Sequence, residues 1–324
     1  MRIPPAQSVK QQHAQEGVKP WLPFLCAPAI ALVMPPHADV TAIVVTHDSA
    51  AVLAPCLAAL RTACGETIVV DNASADATPA ISAEAGARFF ASGRNEGYGR
   101  ANNRGAAEAR SRFLLICNPD VTVSEDAVTA LLDAARAFPE AGMWAPLIVE
   151  PDGRRFVQPR SLLAPTHLNA ARSVLVPEGP ACIPFASGAC FMIERERFLS
   201  MGGFDPDIFL YFEDDDLCRR LMDAGASPVL VPAACVRHVR GRSTPPTLAR
   251  RYNGKWHAAW SERHVRRKYG LPAPPLWPVI WSGVRAGLNA VIFRRQDAAR
   301  YAGTVGGALA HRRGVTALDR QGLS

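Results

Sequence analysis

The acidic run 213–216 (Glu-Asp-Asp-Asp) is the stretch whose residue types are best suited to acid–base chemistry. Neighbouring like charges repel each other, so holding four carboxylates together costs free energy. Helical spacing predicts relief for two of them. Asp215 stands four residues before Arg219, and Asp216 stands four residues before Arg220. These two acids are therefore interpreted as structural.

Glu213 and Asp214 have no cation four residues later, because those positions hold Leu217 and Cys218. They would lie at the N-terminal end of a helix that Gly225 is placed to end, and this end of a helix favours negative charge. Two interpretations stay open at this point. The pair is either a catalytic acid site or ordinary charge at the start of a helix.

The elements before the acidic run alternate between strand and helix. Short apolar, β-branched runs predict strands buried on both faces at 40–46 and 67–70, and two further strands are predicted at 88–91 and 113–117. Helices are predicted at 50–63, 78–85, 101–109 and 125–137. This alternation predicts an α/β fold with a parallel sheet and right-handed crossovers.

Polar side chains follow each of these four strands. In parallel sheets ligands bind beyond the carboxyl ends of the strands, so these residues are candidates for one shared site. The candidates are Thr46 and Asp48 after the first strand, Asp71 and Asn72 after the second, Arg94 and Asn95 after the third, and Asn118 and Asp120 after the fourth.

The second half of the sequence is less regular. Asp152-Gly153 predicts a turn in a hairpin, and strand-like runs cover 185–193 and 227–232. Helical spacing returns at 252–269, which is basic and aromatic. It returns again at 276–295, where apolar residues share one face against three arginines.

Composition excludes several classes of protein. The 324-residue chain is 48% hydrophobic and carries a net charge of +7, which suits nucleic acid, a membrane surface or an anionic ligand. No nucleic-acid-binding module matches, so no nucleic-acid partner is predicted. No stretch reaches the ~20 apolar residues of a membrane span. Eight cysteines without metal-binding spacing predict buried thiols in a reducing compartment.

The segment 95–103 permits another interpretation. Gly97 and Gly99 form a G-x-G pattern that opens a helix, and Asp120 follows about 20 residues later, as in dinucleotide-binding sites. However, Asn102 replaces the third glycine, and the pattern belongs to the third strand–helix unit rather than the first. An NAD(P)-dependent oxidoreductase is kept as an alternative.

Asp120 could ligate Mg²⁺ or Mn²⁺ where diphosphate oxygens complete the coordination shell. His238 could add a nitrogen ligand, which would favour Mn²⁺. Taken alone, His238 could equally be an ordinary core or surface histidine.

Several motifs, taken together, resemble one family. They are Val-Val-Thr-His-Asp-Ser (44–49), Val-Val-Asp-Asn-Ala-Ser (69–74), Asn-x-Gly-Tyr-Gly-x-Ala-Asn-Asn (95–103), Cys-Asn-Pro-Asp-Val (117–121), Gly-Gly-Phe-Asp (202–205), Phe-x-Tyr-Phe-Glu-Asp-x-Asp-Leu-Cys-x-Arg (209–220) and His-x-x-Gly-Arg-Ser (238–243). In this order they resemble the family 2 glycosyltransferases with the GT-A fold, and in particular the rhamnosyltransferase-like branch. The resemblance covers roughly residues 40–270.

The resemblance implies an inverting transferase on a Rossmann-like, mostly parallel sheet flanked by helices. Its donor would be a nucleotide sugar, dTDP-rhamnose or a UDP-sugar, and its acceptor a hydroxyl of a glycan or a lipid-linked glycan. A non-catalytic nucleotide-sugar-binding protein on the same scaffold is a further alternative. The pair of acids at 213 and 214 argues against it.

Carried over by position, the resemblance makes Asp214 the catalytic base, with Glu213 beside it. Asp120 matches the last acid of an Asp-x-Asp metal motif, whose first acid is Asn118 here, and His238 would complete the Mn²⁺ or Mg²⁺ site. We expect Asp120 and Asp214 on opposite sides of one cavity. The donor would be bound by Thr46, Asp48, Asp71, Asn72, Arg94, Asn95, Gly97, Asn102 and Asn118.

Three segments are predicted: a poorly ordered extension at 1–38, a GT-A domain at 39–270 and a basic helical tail at 271–324. A signal peptide over 21–34 is the alternative for the first segment. The amphipathic stretch 276–295 would either lie on a membrane surface or pack on the protein's own core. The predicted location is the cytoplasm, with peripheral contact at the inner face of the cell membrane as a further option.

Overall fold

The computed structural model describes residues 37–158, 160–165, 169, 176–239 and 247–320. The predicted N-terminal extension lies outside these residues except for its last two positions. The Gly-Arg-Ser motif at 241–243 also lies outside them.

The described chain is an α/β fold with one mixed sheet. Its strands are β1 (Val40–Thr46), β2 (Glu66–Asp71), β3 (Arg88–Ala91), β4 (Phe113–Cys117), β5 (Val121–Val123), β6 (Met143–Val149), β7 (Arg155–Phe156), β8 (Ala181–Cys182), β9 (Cys190–Glu194) and β10 (Pro228–His238). Its helices are α1 (Ala50–Ala63), α2 (Thr78–Glu84), α3 (Tyr98–Glu108), α4 (Glu125–Ala137), α5 (Arg195–Ser200), α6 (Glu213–Asp223), α7 (Leu248–Lys268), α8 (Trp277–Val291) and α9 (Arg295–Arg312), with a 3₁₀ turn at Leu318–Arg320.

The strand order along the sheet is β3-β2-β1-β4-β9-β6-β10-β5. The first four strands are parallel, as the alternating pattern predicts. β9 then runs antiparallel to β4 and β6, so the sheet as a whole is mixed. β6 and β7 form the hairpin predicted around Asp152-Gly153.

The apolar strands bury side chains on both faces, as predicted. In β1, Ala42 and Val44 belong to the core under α1 and α4, while Ile43 and Val45 belong to the core under α3 and α6. This two-sided burial fixes the strands rigidly. Their carboxyl ends therefore provide a stable platform for the loops that carry the candidate site.

Of the three C-terminal helices, α9 packs against both α7 and α8. α8 has no buried residue, and its apolar face is exposed within the described part of the chain, with Trp277 at 67%, Leu288 at 60% and Val291 at 75%. No helix among the described residues is long and apolar enough to cross a membrane.

The seven described cysteines are free, and five of them are buried, as predicted. Cys182 and Cys235 are exposed instead.

Candidate active site

The backbone in front of α6 turns sharply. Tyr211 and Phe212 both have positive φ angles, 67° and 68°. Non-glycine residues rarely adopt this conformation, and each such residue costs on the order of 1–3 kcal/mol. The turn places Glu213 and Asp214 in the first turn of α6, where the helix dipole favours carboxylates.

These two acids face a cavity of about 860 Å³. Aromatic residues and four cations line it together with the acids. The wall consists of Phe156, Gln158, Phe185, Ser187, Tyr211, Phe212, Glu213, Asp214, Asp215, Arg250, Arg251, Gly254, Lys255, Ala258 and Arg300. The volume is that of a small-molecule site, and its acids and cations would suit a polar substrate.

The carboxylate of Asp214 is held by two backbone donors. The N–H of Gly188 donates to Oδ2 at 2.9 Å, and the N–H of Asp215 donates to Oδ1 at 3.0 Å. Burial raises the pKa of Asp214, and these hydrogen bonds oppose the rise. The Tyr98 hydroxyl donates to the carbonyl of Gly188 at 2.5 Å and so fixes the loop that holds the carboxylate.

Glu213 is buried beside Asp214, and its Oε2 atom has no hydrogen-bond partner among the described residues. Burial raises the pKa of Glu213 well above its usual range, and the negative charge of Asp214 raises it further. Glu213 lines the cavity, while its Oε2 atom is a buried polar atom whose lack of a partner calls for an explanation.

The predicted ion pair between Asp215 and Arg219 is wrong. Arg219 instead pairs with Asp223 at 2.8 Å, also four residues away, and Asp215 accepts a hydrogen bond from the Ser161 hydroxyl. Burial raises the pKa of Asp215 to about 7, with the charge of Asp214 adding to the rise. Helical spacing could not distinguish the two carboxylates that flank Arg219, and Ser161 is too distant in sequence for any local rule.

The predicted pairing of Asp216 with Arg220 is confirmed at 2.8 Å. Asp216 is fully buried, and it also accepts the Tyr269 hydroxyl at 2.8 Å and lies 2.6 Å from Lys268 Nζ. Arg220 in turn donates to the carbonyls of Met201 and Gly203. This acid holds α6 to the end of α7 and points away from the cavity.

Asp120 and His238 lie side by side because β5 pairs with β10. Val121 is opposite His238 in this pairing, and the N–H of Val239 donates to the carbonyl of Asp120 at 2.9 Å. The Oδ1 atom of Asp120 is 3.1 Å from Nε2 of His238, without the geometry of a hydrogen bond. Both side chains are buried.

The expected meeting of Asp120 and Asp214 in one cavity is only partly visible in the structure. Asp214 lines the 860 Å³ cavity, whereas Asp120 and His238 are not among its lining residues. The loops that carry the two acids are hydrogen-bonded to neighbouring residues. The N–H of Asn118, two residues before Asp120, donates to the carbonyl of Ala189, and the N–H of the adjacent Gly188 donates to Asp214. Their convergence on one substrate stays a prediction.

Three of the predicted donor-binding residues form a buried network after β1 and β2. The Thr46 hydroxyl donates to Asp71 Oδ1 at 2.8 Å, and Asp71 also accepts the N–H of Ser74 at 2.9 Å. Asn72 donates to the carbonyl of Gly97 at 3.1 Å and accepts the N–H of Glu96 at 3.3 Å. The network ties the loop after β2 to the start of α3.

The other predicted donor-binding residues surround the same strand ends. Asp48 accepts the N–H of Ala75 at 2.8 Å, and Asn95 accepts the N–H of Gly97 at 3.0 Å. A Cβ at Gly97 would lie 2.5 Å from the Phe209 carbonyl, so only glycine allows this approach. The exposure of the remaining three differs, with Asn102 fully buried, Asn118 partly buried and Arg94 exposed.

A second acidic cluster lies outside this cavity. Asp205, Asp207 and His264 could bring ligand atoms within 4.8 Å of one another. However, Lys268 Nζ lies 2.7 Å from Asp205, and hydrogen bonds from His264 and Lys268 outweigh burial and hold the pKa of Asp205 well below its usual range. A fixed ammonium in that position makes the cluster an ion-pair network.

Residues 41–200 match the family model described as glycosyl transferase family 2. The N-acetylglucosaminyl-diphospho-decaprenol L-rhamnosyltransferase of Mycobacterium tuberculosis is 32% identical over 235 residues, covering 59% of this chain and 76% of that protein. The chain belongs to glycosyl transferase family 2. It is a glycosyltransferase of the hexosyltransferase class, similar to rhamnosyltransferases, as the sequence motifs predict. The oxidoreductase alternative is thereby dismissed.

Other proteins similar to this glycosyltransferase agree in family or fold. Rhamnosyltransferase WbbL of Escherichia coli is 22% identical over 196 residues, covering 55% of this chain and 74% of that protein. The mannosyltransferase PcManGT from Pyrobaculum calidifontis, solved with GDP-Man and Mn²⁺, superposes with a TM-score of 0.53 at 17% identity over 85% of this chain and 87% of that one. The GT-A fold is therefore confirmed.

Sequence reasoning missed several residues of this glycosyltransferase site. Gly188 was visible only as an interruption in an apolar run, and Tyr98 only as part of a glycine-rich motif. Neither pattern reveals that the N–H of Gly188 holds Asp214 or that the Tyr98 hydroxyl holds the Gly188 loop. The cations of α7 and α9 that line the cavity were missed as well, because helical spacing does not say which face meets a distant cavity.

Proposed function

We propose that the protein transfers a sugar from a nucleotide-sugar donor to a hydroxyl of a lipid-linked glycan, with inversion at the anomeric carbon. The observation that supports this best is the position of Asp214 on the cavity wall. Two backbone N–H groups hold its carboxylate, and burial raises its pKa. A carboxylate with a raised pKa is a stronger base than one in water. It is therefore suited to accept a proton at neutral pH.

In the proposed reaction Asp214 accepts the proton of the acceptor hydroxyl as its oxygen attacks the anomeric carbon. The bond from that carbon to the nucleoside diphosphate breaks on the opposite face, which gives inversion in one displacement. Glu213 lines the same cavity, and its pKa is raised well above its usual range by burial and by the charge of Asp214; it would hydrogen-bond to a sugar hydroxyl. The Tyr98–Gly188 contact keeps the base in place.

Asp120 and His238 fit a divalent-metal site. A buried carboxylate oxygen without a hydrogen bond lies 3.1 Å from an imidazole nitrogen, an oxygen–nitrogen pair that suits Mn²⁺ or Mg²⁺. When bound, the ion would neutralise the charge of the departing nucleoside diphosphate. Asn118, in place of the first acid of the motif, leaves Asp120 as the principal negative charge at this site.

The donor is proposed to bind along the strand ends. Thr46, Asp71 and Asn72 shape the base and ribose site, and the remaining predicted residues line the pocket for the diphosphate and sugar: Asp48, Arg94, Asn95, Gly97, Asn102 and Asn118. The similarity to L-rhamnosyltransferases favours dTDP-rhamnose, with a UDP-sugar as the second candidate. The name of the mycobacterial relative also favours a diphospholipid-linked acceptor.

The C-terminal helices support a location at a membrane surface. We propose that residues 39–270 form the catalytic domain and that 271–324 extend it. The exposed face of α8 within 276–295 would rest on the inner face of the cell membrane. The face carries Trp277 and Trp281, and Arg285 lies over the Trp281 ring, an aromatic and basic combination typical of interfacial helices.

The test is a panel of nucleotide sugars offered with Mn²⁺ to the full-length protein and a lipid-linked glycan acceptor. Product formation with the anomeric configuration opposite to that of the donor is expected. A product that retains the donor configuration would refute single displacement. Failure of every donor to bind or react would refute the donor assignment.

A further inference from the structure

Two helices C-terminal to the matched family region place cations on the wall of the active-site cavity. Arg251 and Lys255 lie one turn apart on α7, and Arg300 lies on α9. The same cavity is lined by Glu213 and Asp214. Cations and acids therefore face one space, although they come from elements far apart in the sequence.

Close packing of α9 on α7 fixes the position of the helix that carries Arg300. A Cβ at Gly303 would lie 2.2 Å from the Tyr252 carbonyl, and one at Gly307 would lie 2.1 Å from the Trp256 carbonyl. These glycines, four residues apart, let the two backbones approach to a distance that no larger residue allows. Arg300 is one turn before Gly303 and is therefore carried on a well-packed helix.

The three cations form no ion pair with any carboxylate among the described residues. Of the acids that line the cavity, Asp214 accepts backbone N–H groups and Asp215 accepts the Ser161 hydroxyl, while Glu213 remains without an ion pair to these cations among the described residues. All three side chains are exposed, so solvent screens part of their mutual repulsion, and a bound anion would relieve the rest. Arginine and lysine in such an arrangement match a phosphate-class oxyanion.

Two sources could supply that oxyanion: the diphosphate of the donor or a phosphate group on the acceptor. The candidate metal residues for the donor diphosphate, Asp120 and His238, are outside this cavity wall. Arg300, by contrast, adjoins Tyr301, whose ring lies 5.6 Å from the Arg285 guanidinium of α8. Arg300 thus lies on the helix that packs against α8, and its side chain lines the same cavity as Asp214.

We infer that Arg251, Lys255 and Arg300 bind the phosphate or diphosphate group of a lipid-linked acceptor. This inference rests on the proposed function. The exposed apolar face of α8 would suit the lipid of such an acceptor, and the cations and Asp214 on one cavity wall would suit its phosphate and its sugar hydroxyl. Binding the anion would fix how far the reacting hydroxyl lies from Asp214.

The probe is farnesyl diphosphate, with farnesol to separate the contribution of the lipid chain. Calorimetric titration would compare the wild-type protein with Lys255→Gln/Arg300→Gln. The matched control is Arg312→Gln/Arg313→Gln, which removes the same charge from exposed residues outside the cavity. We expect about tenfold or more weaker binding of farnesyl diphosphate in the first variant and an unchanged affinity in the control.

The affinity for UDP and dTDP in the presence of Mn²⁺ separates the two sources. It should be unchanged in Lys255→Gln/Arg300→Gln if the cations serve the acceptor. A loss of nucleotide affinity with unchanged farnesyl diphosphate binding would overturn the inference and assign the cations to the donor. An equal loss of farnesyl diphosphate affinity in the control variant, or no loss in either variant, would show that the three cations act only as general surface charge.

Folding and the proposed function can be checked separately. Lys255→Arg/Arg300→Lys keeps the charges and should restore most of the affinity, and circular dichroism would identify a misfolded variant. Asp214→Asn should still bind farnesyl diphosphate. If the wild-type protein binds it through these cations but transfers no sugar from any donor, the proposed function fails and the anion site stands.

Discussion

Asp214 and Asp216 both lie in the first turn of α6, but Asp214 lines the cavity and Asp216 forms a buried ion pair. The same substitution made at each position therefore tests the interpretation of the site. Asp214→Asn should abolish transfer without unfolding the protein. Asp216→Asn should destabilise the protein and leave the cavity acids unchanged. Asparagine has nearly the same shape as aspartate, so both variants change charge and hydrogen bonding but little else.

For Asp214→Asn the expected loss of turnover is about 10²- to 10⁴-fold, the usual contribution of a general base. This corresponds to roughly 3–5 kcal/mol of activation free energy. The amide keeps one oxygen, so it can accept from either Gly188 or Asp215 but not from both, a loss of about 1 kcal/mol. Removing a buried carboxylate whose pKa is raised offsets that loss. The free energy of unfolding should change by about 1 kcal/mol or less.

Asp216→Asn removes a fully buried negative charge that Arg220 and Lys268 contact at 2.8 and 2.6 Å. Breaking a buried ion pair costs about 3–5 kcal/mol because the partner charge is left behind. Lys268 is 30% exposed, so solvent screens part of its share and the lower value of about 3 kcal/mol applies. At about 2–4 °C per kcal/mol, the melting temperature should fall by roughly 6–12 °C.

Thermal unfolding by circular dichroism and turnover with a saturating donor would be measured on the same preparations. The interpretation requires the two variants to separate, one losing turnover and the other losing stability. Transfer at the wild-type rate by Asp214→Asn would show that another group is the base. A melting temperature in Asp216→Asn equal to that of the wild type would contradict the buried network.

Three further predictions follow from the same geometry. Burial raises the pKa of Asp215 from 3.8 to about 7, so its contribution to the free energy of unfolding is present below about pH 4 and is lost as the pH rises towards 7. Asp215→Asn should therefore flatten that part of the pH–stability curve by roughly 1–4 kcal/mol, as measured by urea unfolding. An unchanged curve would refute this assignment. Asp120→Ala should weaken nucleotide-sugar binding about tenfold or more with Mn²⁺ present and make it insensitive to chelation, whereas the same affinity in both proteins would refute the metal assignment. Trp277→Ser/Trp281→Ser should reduce co-sedimentation with vesicles containing phosphatidylglycerol, while Leu309→Ser, exposed on α9, should not, and equal behaviour would exclude membrane contact by α8.

The parallel half of the sheet could be predicted closely from the sequence. β1, β3 and β4 and the helices α1 and α4 have the predicted bounds. β1 and β4 are buried on both faces, and such strands must be continuous apolar runs, whereas β3 is only partly buried at the edge of the sheet. α4 also has a clear start signal, since the Ser124 hydroxyl accepts the N–H of Ala127 at 3.2 Å, followed by two acids.

The second half was predicted less well because its contacts are non-local. β6 (Met143–Val149) went unrecognised although it is buried, since a proline interrupts its apolar run and no helix follows it. α9 was missed because its three glycines and polar residues lower helix propensity. The structure explains two of the glycines by close packing on α7, which overrides propensity.

The acidic run shows why residue type alone does not assign a role. Successive positions of an α-helix point about 100° apart, so four adjacent acids do not all share the same partners. Glu213 and Asp214 line the cavity as a pair of coupled carboxyl groups, Asp215 faces the Ser161 hydroxyl, and Asp216 is neutralised by Arg220 inside the protein. The turn at Tyr211 and Phe212, where both φ angles are positive, leads directly into this helix. A change that relaxed this turn would therefore rotate all four acids together and move the base away from the substrate, even though no acid had been replaced.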